Sequence, residues 1–189
     1  MNKHIGIASL VMLLSACASP PPDTDLFKGE NLITPFTEEL MTWQMYSQNQ
    51  GGFRTRMWQK PDRGYADSYA VSVTYRDDSS TLDKRKAVDQ PGVDGCASFE
   101  SKTLVFPAHS GYQVEYWETL CQNGEAFKAK ILHLMIRGND SFYHLQKSWQ
   151  NDFTAQDVQD WKTRFESVYI CDTRLPEAPC PIVEKVTGG

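Results

Sequence analysis

This chain carries few of the marks that announce a chemistry. It has no C-x-x-C pair, which removes a dithiol redox centre and the usual zinc-binding spacing. It has no H-E-x-x-H, Walker or dinucleotide-binding motif, and no G-x-S-x-G frame for a nucleophilic serine. Histidines number only four, which leaves little for acid–base or metal work. Positive charge is not in excess. The 19 Lys and Arg face 24 Asp and Glu, a net charge of -5. That balance speaks against general nucleic-acid binding and against electrostatic adhesion to anionic lipid. No apolar run reaches the roughly 20 residues that a membrane-crossing helix needs, and the longest, Ile5 to Leu14, is about half that length. No internal repeat is visible.

What is present begins at the N-terminus. Met1 to His4 is a short cationic start, charged through Lys3, and the apolar stretch from Ile5 to Leu14 follows. That order of parts is an export signal. Its end, Leu14-Ser15-Ala16-Cys17, departs from the small-x-small cleavage pattern and resembles the lipobox of bacterial lipoproteins. The resemblance covers the signal alone. It implies that residues 1–16 are removed and that Cys17 becomes the lipidated first residue of the mature protein. It also implies three acyl chains. At about 0.8 kcal/mol per buried CH₂, more than one chain gives a stable hold on the membrane. Ala18-Ser19 follows Cys17, where an Asp would favour the inner membrane, so the resemblance implies the outer membrane.

Residues 17–30 read as a tether. Pro20-Pro21-Pro22 favour an extended polyproline II segment. About eight such residues at roughly 3.1 Å each reach some 25 Å from the lipid surface. Residues 31–189 are expected to form one domain, long enough for a real core. Trp43, Trp58, Trp117, Trp149 and Trp161 are spread along it. Four cysteines remain after Cys17: Cys96, Cys121, Cys171 and Cys180. An even number in an exported chain reads as two disulfides. Three pairings are open, and proximity favours Cys96–Cys121 with Cys171–Cys180. The second would close a proline-bearing loop, a constraint worth about 2–3 kcal/mol.

Thr37-Glu38-Glu39-Leu40 has the cap and the acidic first turn of a helix, expected to run to about Ser47. Phe53 to Lys60 reads as a strand ended by Pro61. In Tyr69 to Tyr75, the residues Tyr69, Val71, Val73 and Tyr75 alternate with small or polar ones and share a face. Arg76 to Gly95 reads as a long loop or short helix. Strands are expected near Lys102–Phe106, Tyr112–Leu120 and Ala126–Arg137, and Ser141–Trp149 after a Gly138-Asn139 turn reads as a strand or a helix, since Phe142, Leu145 and Trp149 also fit a helical stripe. Thr154-Ala155-Gln156-Asp157 resembles a capping box with Asp in place of Glu. Val158, Trp161, Phe165 and Val168 recur at helical spacing behind it. Ile182 to Gly189 looks like a loose tail. The fold expected is α+β: an antiparallel sheet of about five to six strands, with an N-terminal and a C-terminal helix packed on one face, and two disulfides.

Few residues stand out as site candidates. With Gly138-Asn139 as the turn, Arg137 pairs with Asp140 and His133 lies opposite His144. That cross-strand pair could bind a metal or act as a pH switch. If the turn shifts by one residue, His133 faces Gln146 and the pair becomes diagonal. Arg54, Arg56, Trp58 and Lys60 fall on one side of a strand and form a candidate interaction surface for phosphate-bearing lipid or an acidic partner. His109-Ser110 puts two catalytic residue types side by side, but neighbours in sequence rarely face each other. No catalytic set, metal or cofactor is assigned. The functional expectation is a non-enzymatic, lipid-anchored envelope protein of the outer membrane, its domain in the periplasm, serving as a structural or accessory part of an assembly with other envelope proteins. The alternatives are a carrier or sensor for a small molecule or lipid and, third, an envelope hydrolase.

Overall fold

The structure is a computed structural model that describes residues 26, 28–76, 81–89, 95–107, 111–176 and 180–181. Leu14 to Cys17, most of the tether, His109-Ser110 and the tail from Ile182 lie outside the described residues.

Alternation of apolar and polar residues dominates the chain, and strands dominate the fold. They are β1 (Glu30–Ile33), β2 (Gln44–Gln50), β3 (Phe53–Lys60), β4 (Gly64–Tyr75), β5 (Ser98–Thr103), β6 (Gln113–Asn123), β7 (Phe127–Arg137), β8 (Ser141–Gln150) and β9 (Tyr169–Asp172). Two α-helices accompany them, α1 (Leu82–Asp89) and α2 (Ala155–Glu166). Seven strands form one antiparallel sheet in the order β2-β3-β4-β8-β7-β6-β5. It is two meanders joined along β4 and β8. A separate antiparallel ribbon pairs β1 with β9. The expectation of a mixed α and antiparallel β chain with two disulfides holds, with more strands than expected and a different placement of helices.

The first face of the sheet is covered over its middle strands. Tyr69, Tyr116, Leu132, Leu134, Ile136, Tyr143, Leu145 and Trp149 meet Phe36, Leu40, Ile170 and the stripe Val158, Trp161, Phe165 and Val168. The stripe is on α2 and the residues just past it, as the spacing predicted. α2 starts where expected: Thr154 Oγ1 accepts from the Asp157 amide at 3.1 Å, and Asp157 accepts back from the Thr154 amide at 2.8 Å. Glu118 on β6 fixes α2 over the sheet, 2.9 Å from Lys162 and 3.3 Å from Lys130.

The N-terminal helix expected over Thr37 to Ser47 is a single 3-10 turn, Thr37–Leu40, with no side-chain cap. β2 replaces the rest. The reason lies in the hairpin after it. Gly51 and Gly52 adopt positive φ, 52° and 85°, the turn that matches strand twist, and they pair Gln50 with Phe53. Gln44 to Gln50 has no helical stripe to compete with that hairpin. A helix does form in the Arg76–Gly95 stretch, and it lies on the opposite face of the sheet from α2: Leu82 packs on Trp117, Met135 and Phe142. The two helices therefore sandwich the sheet.

The β7–β8 turn is shifted by one residue from Gly138-Asn139 to Asn139-Asp140, with the Gly138 amide bonded to the Ser141 carbonyl at 2.9 Å. Arg137 therefore faces Phe142, not Asp140. The cause is Glu30 on β1, whose carboxylate accepts from the Asn139 and Asp140 amides, both at 2.8 Å. Gly138 makes room for that carboxylate: a Cβ there would lie 2.5 Å from Glu30 Oε2. The shift leaves every side chain on its expected face, because the register changes by an even number. Both disulfides pair as proximity favours, Cys96–Cys121 between the start of β5 and β6, and Cys171–Cys180 after β9.

Candidate functional site

The sheet's second face gathers the histidines. His133 faces Gln146 across β7 and β8, and His144 faces Met135, so the two histidines are diagonal rather than opposite. Their rings still meet. His133 Nδ1 lies 3.4 Å from His144 Nε2, with ring centroids 5.6 Å apart. The facing nitrogens thus lie between the rings, with room for one proton. Trp117 stacks flat on His133 at 4.4 Å. α1 covers the group, Lys86 over Trp117 and Arg85 over Phe142. His133 is fully buried and His144 nearly so. Burial pushes both imidazoles down to about 3. Each is next to positive charge as well, His133 near Lys86 and His144 near Arg85. The pair is therefore neutral at pH 7, with His133 sealed from solvent and His144 lining a small cavity beside Arg85, Phe142 and Gln146. Among the described residues no group of three or more His, Cys, Asp or Glu is placed to hold a metal.

The first face holds a second buried charge that the sequence reading did not single out. Lys147 is fully buried. Its ammonium sits 4.5–5.4 Å from the rings of Trp149, Trp161 and Trp43. It donates to Asp67 and to the carbonyls of Ser148 at 3.0 Å and Ser68 at 3.3 Å. Burial lowers its affinity for the proton and Asp67 restores part of it, leaving its pKa at about 8. Its partners come from β4, β8 and α2, and from Trp43 before β2, so no local motif reveals it.

Arg54, Arg56, Trp58 and Lys60 do share one side of β3, and that side faces the α2 core. Trp58 stacks on Tyr69 at 5.4 Å and packs against the main core. Arg54 and Arg56 are half-buried, and Lys60 is exposed and lies 3.6 Å from Asp67. Met45, Ser47 and Asn49 of β2 are the cross-strand neighbours of Trp58, Arg56 and Arg54. The stripe therefore lies one strand in from the sheet's edge.

That edge is β2, Gln44-Met45-Tyr46-Ser47-Gln48-Asn49-Gln50. All seven residues are exposed, and none is charged or proline. Unpaired edge strands template further pairing, and proteins blunt them with charge, proline or cover. The far edge, β5, carries Glu100 and Lys102. β2 carries neither. Of the exposed large apolar side chains, Met41, Met45, Tyr46 and Phe53 lie on β2 or next to it, 58%, 51%, 43% and 37% exposed, while Tyr65 and Val105, 69% and 91% exposed, lie elsewhere. The signal in the sequence was Gly51-Gly52 beside a stretch free of charge. The chain matches no protein-family model and no curated protein. Among the described residues no helix is long and apolar enough to cross a membrane.

Proposed function

We propose that this protein is a non-enzymatic, lipid-anchored envelope protein that docks other proteins through the β2 edge of its sheet. In this reading Cys17 is the lipidated anchor and the prolines hold the domain just off the outer membrane, in the periplasm. The domain is then a structural or accessory part of an envelope assembly. The observation that carries the reading is the seven-residue, uncharged, exposed β2, with Met41, Met45, Tyr46 and Phe53 on or beside it. Exposed apolar side chains on an unguarded edge are what a partner strand covers. The buried His133 and the enclosed Lys147 favour docking over hydrolysis, since neither reaches solvent as a catalytic group must.

A small-molecule carrier or sensor is the second reading. It draws on two cavities, one of about 310 Å³ whose lining includes Leu104, Phe106, Tyr112, Val114 and Tyr116, and one of about 200 Å³ lined by Phe53, Ser72, Thr74, Arg85, Phe142, His144 and Gln146. The larger reaches the size at which ligand pockets begin, roughly 300 Å³, so docking stands first on the strength of β2 and not on cavity size.

The test uses the full-length chain in its native membranes. Cys17→Ser should release the protein to the soluble fraction. A photo-crosslinker at Met45 or Tyr46 should yield a protein adduct that Ser47→Lys abolishes. A Cys17→Ser chain that stays in the membrane sinks the anchor. Crosslinkers at both positions that give no adduct sink the docking.

A further inference from the structure

We infer that the partner covering β2 is a second copy of this chain, paired antiparallel about Ser47. The inference rests on the docking reading above and names its occupant. In a twofold pairing centred on Ser47, all seven residues of β2 find partners. Gln44 meets Gln50 of the second copy, Met45 meets Asn49, Tyr46 meets Gln48, and Ser47 meets itself. Not one of these pairs sets like charges opposite each other, because β2 has no charge. A partner strand chosen for an acidic or basic segment would call for charge on β2, and there is none to complement it.

The same register gives the exposed side chains partners. Tyr46 and its symmetry mate fall on one face in diagonal positions, within reach of aromatic rings. They lie on the face of Met57, which Tyr46 already neighbours across β3. Met45 and its mate fall on the other face, beside Trp58. The two seven-stranded sheets then run on as one, each copy keeping its charged β5 edge outermost, where Glu100 and Lys102 guard against further addition. One unguarded edge per copy closes a dimer, where two would give a filament.

A twofold through Ser47 makes a demand that docking of a different protein does not. Ser47→Lys places lysine opposite lysine, and Ser47→Glu places glutamate opposite glutamate. A mixture of the two places lysine opposite glutamate. Sedimentation of the full-length chain in detergent should show a wild-type dimer. Each single variant should dissociate at least about fivefold more readily, as roughly 1 kcal/mol of like-charge opposition requires. The equimolar mixture should recover the dimer. Near-ultraviolet circular dichroism of each variant shows whether the tryptophan core is intact, so loss of pairing is separated from loss of fold. Both variants staying dimeric overturns the β2 pairing, and a mixture that stays monomeric overturns the twofold at Ser47. A wild-type monomer whose Met45 crosslinker captures a different protein overturns self-pairing and leaves the docking reading standing. A wild-type monomer with no adduct removes both.

Discussion

Asp67→Asn should cost about 1.4 kcal/mol at pH 7, and that cost should shrink below about 0.5 kcal/mol by pH 9. Lys147 is fully buried among three tryptophans, and Asp67 is the carboxylate it donates to. Its pKa moves from 10.5 to about 8. At about 1.4 kcal/mol per unit, the charged lysine already opposes folding by about 3 kcal/mol. A buried lysine has an escape, which is to lose its proton. From 10.5 down to pH 7 that costs about 5 kcal/mol and sets a ceiling. Removing Asp67 therefore has only about 1.4 kcal/mol of room, the one unit between pH 7 and a pKa of about 8, below the roughly 3–5 kcal/mol typical of an orphaned buried charge. The pH dependence follows with its sign. A lysine whose folded pKa lies below its unfolded pKa is less protonated folded than unfolded, so stability rises with pH across that window. In the wild type the window is about 8 to 10.5. In Asp67→Asn it opens lower, so the two proteins converge as pH rises past 8. Urea unfolding followed by tryptophan fluorescence at pH 6, 7, 8 and 9 measures this directly. Lys147→Met in the Asp67→Asn background should erase the pH dependence. A cost of 3–5 kcal/mol that is flat from pH 6 to 9 would refute the reasoning, since it would mean that Lys147 keeps its proton.

The His133–His144 pair gives a second pH response, at the acid end. Both rings are held near 3 in the fold against 6.5 unfolded, so the stability of neutral burial is complete above about 6.5 and is lost as pH falls toward 3. At pH 5 each histidine should cost about 2 kcal/mol, and His144→Gln should flatten the urea midpoint between pH 7 and pH 5 by about half; an unchanged acid slope in that variant would show that the pair does not titrate there. Glu30→Gln should cost about 1–2 kcal/mol, because the carboxylate that accepts both turn amides becomes a neutral amide with one acceptor oxygen. Hydrogen exchange at Asn139 and Asp140 should quicken in the same variant, and unchanged protection there would remove Glu30 as the cause of the turn's position.

How much of this was legible in the sequence depends on whether a signal was local. The α2 cap and stripe are local and were read correctly from Thr154, Asp157, Val158, Trp161 and Phe165. Both disulfides follow from spacing. The face on which each residue of β7 and β8 falls was right because a strand's period survives an even shift in register. The turn itself was misplaced by one residue because Glu30 fixes it from more than a hundred positions away. The helix expected over Thr37 to Ser47 failed differently. Its cap signals were real but short, and the paired glycines at 51 and 52 outweighed them by closing a hairpin. Lys147 was invisible for the opposite reason, since nothing near it in the chain marks a lysine that ends among three tryptophans.

The distribution of charge along the sheet connects these failures to function. Where this protein buries ionisable groups, it surrounds them: Lys147 with Asp67 and three indoles, His133 with His144 and Trp117, Glu118 with two lysines. Where it exposes a strand edge at β5, it sets a glutamate and a lysine along it. Of the two edges of the seven-stranded sheet, β2 follows neither practice. An uncharged edge of seven exposed residues, flanked by methionine, tyrosine and phenylalanine, invites unwanted pairing in any crowded compartment. Such a liability persists most simply where the edge is covered in use. The two-residue glycine turn that defeated the helix expectation is also what holds β2 flat against β3 with its outer side open. The sequence feature hardest to read as structure is therefore the one on which the proposed docking depends.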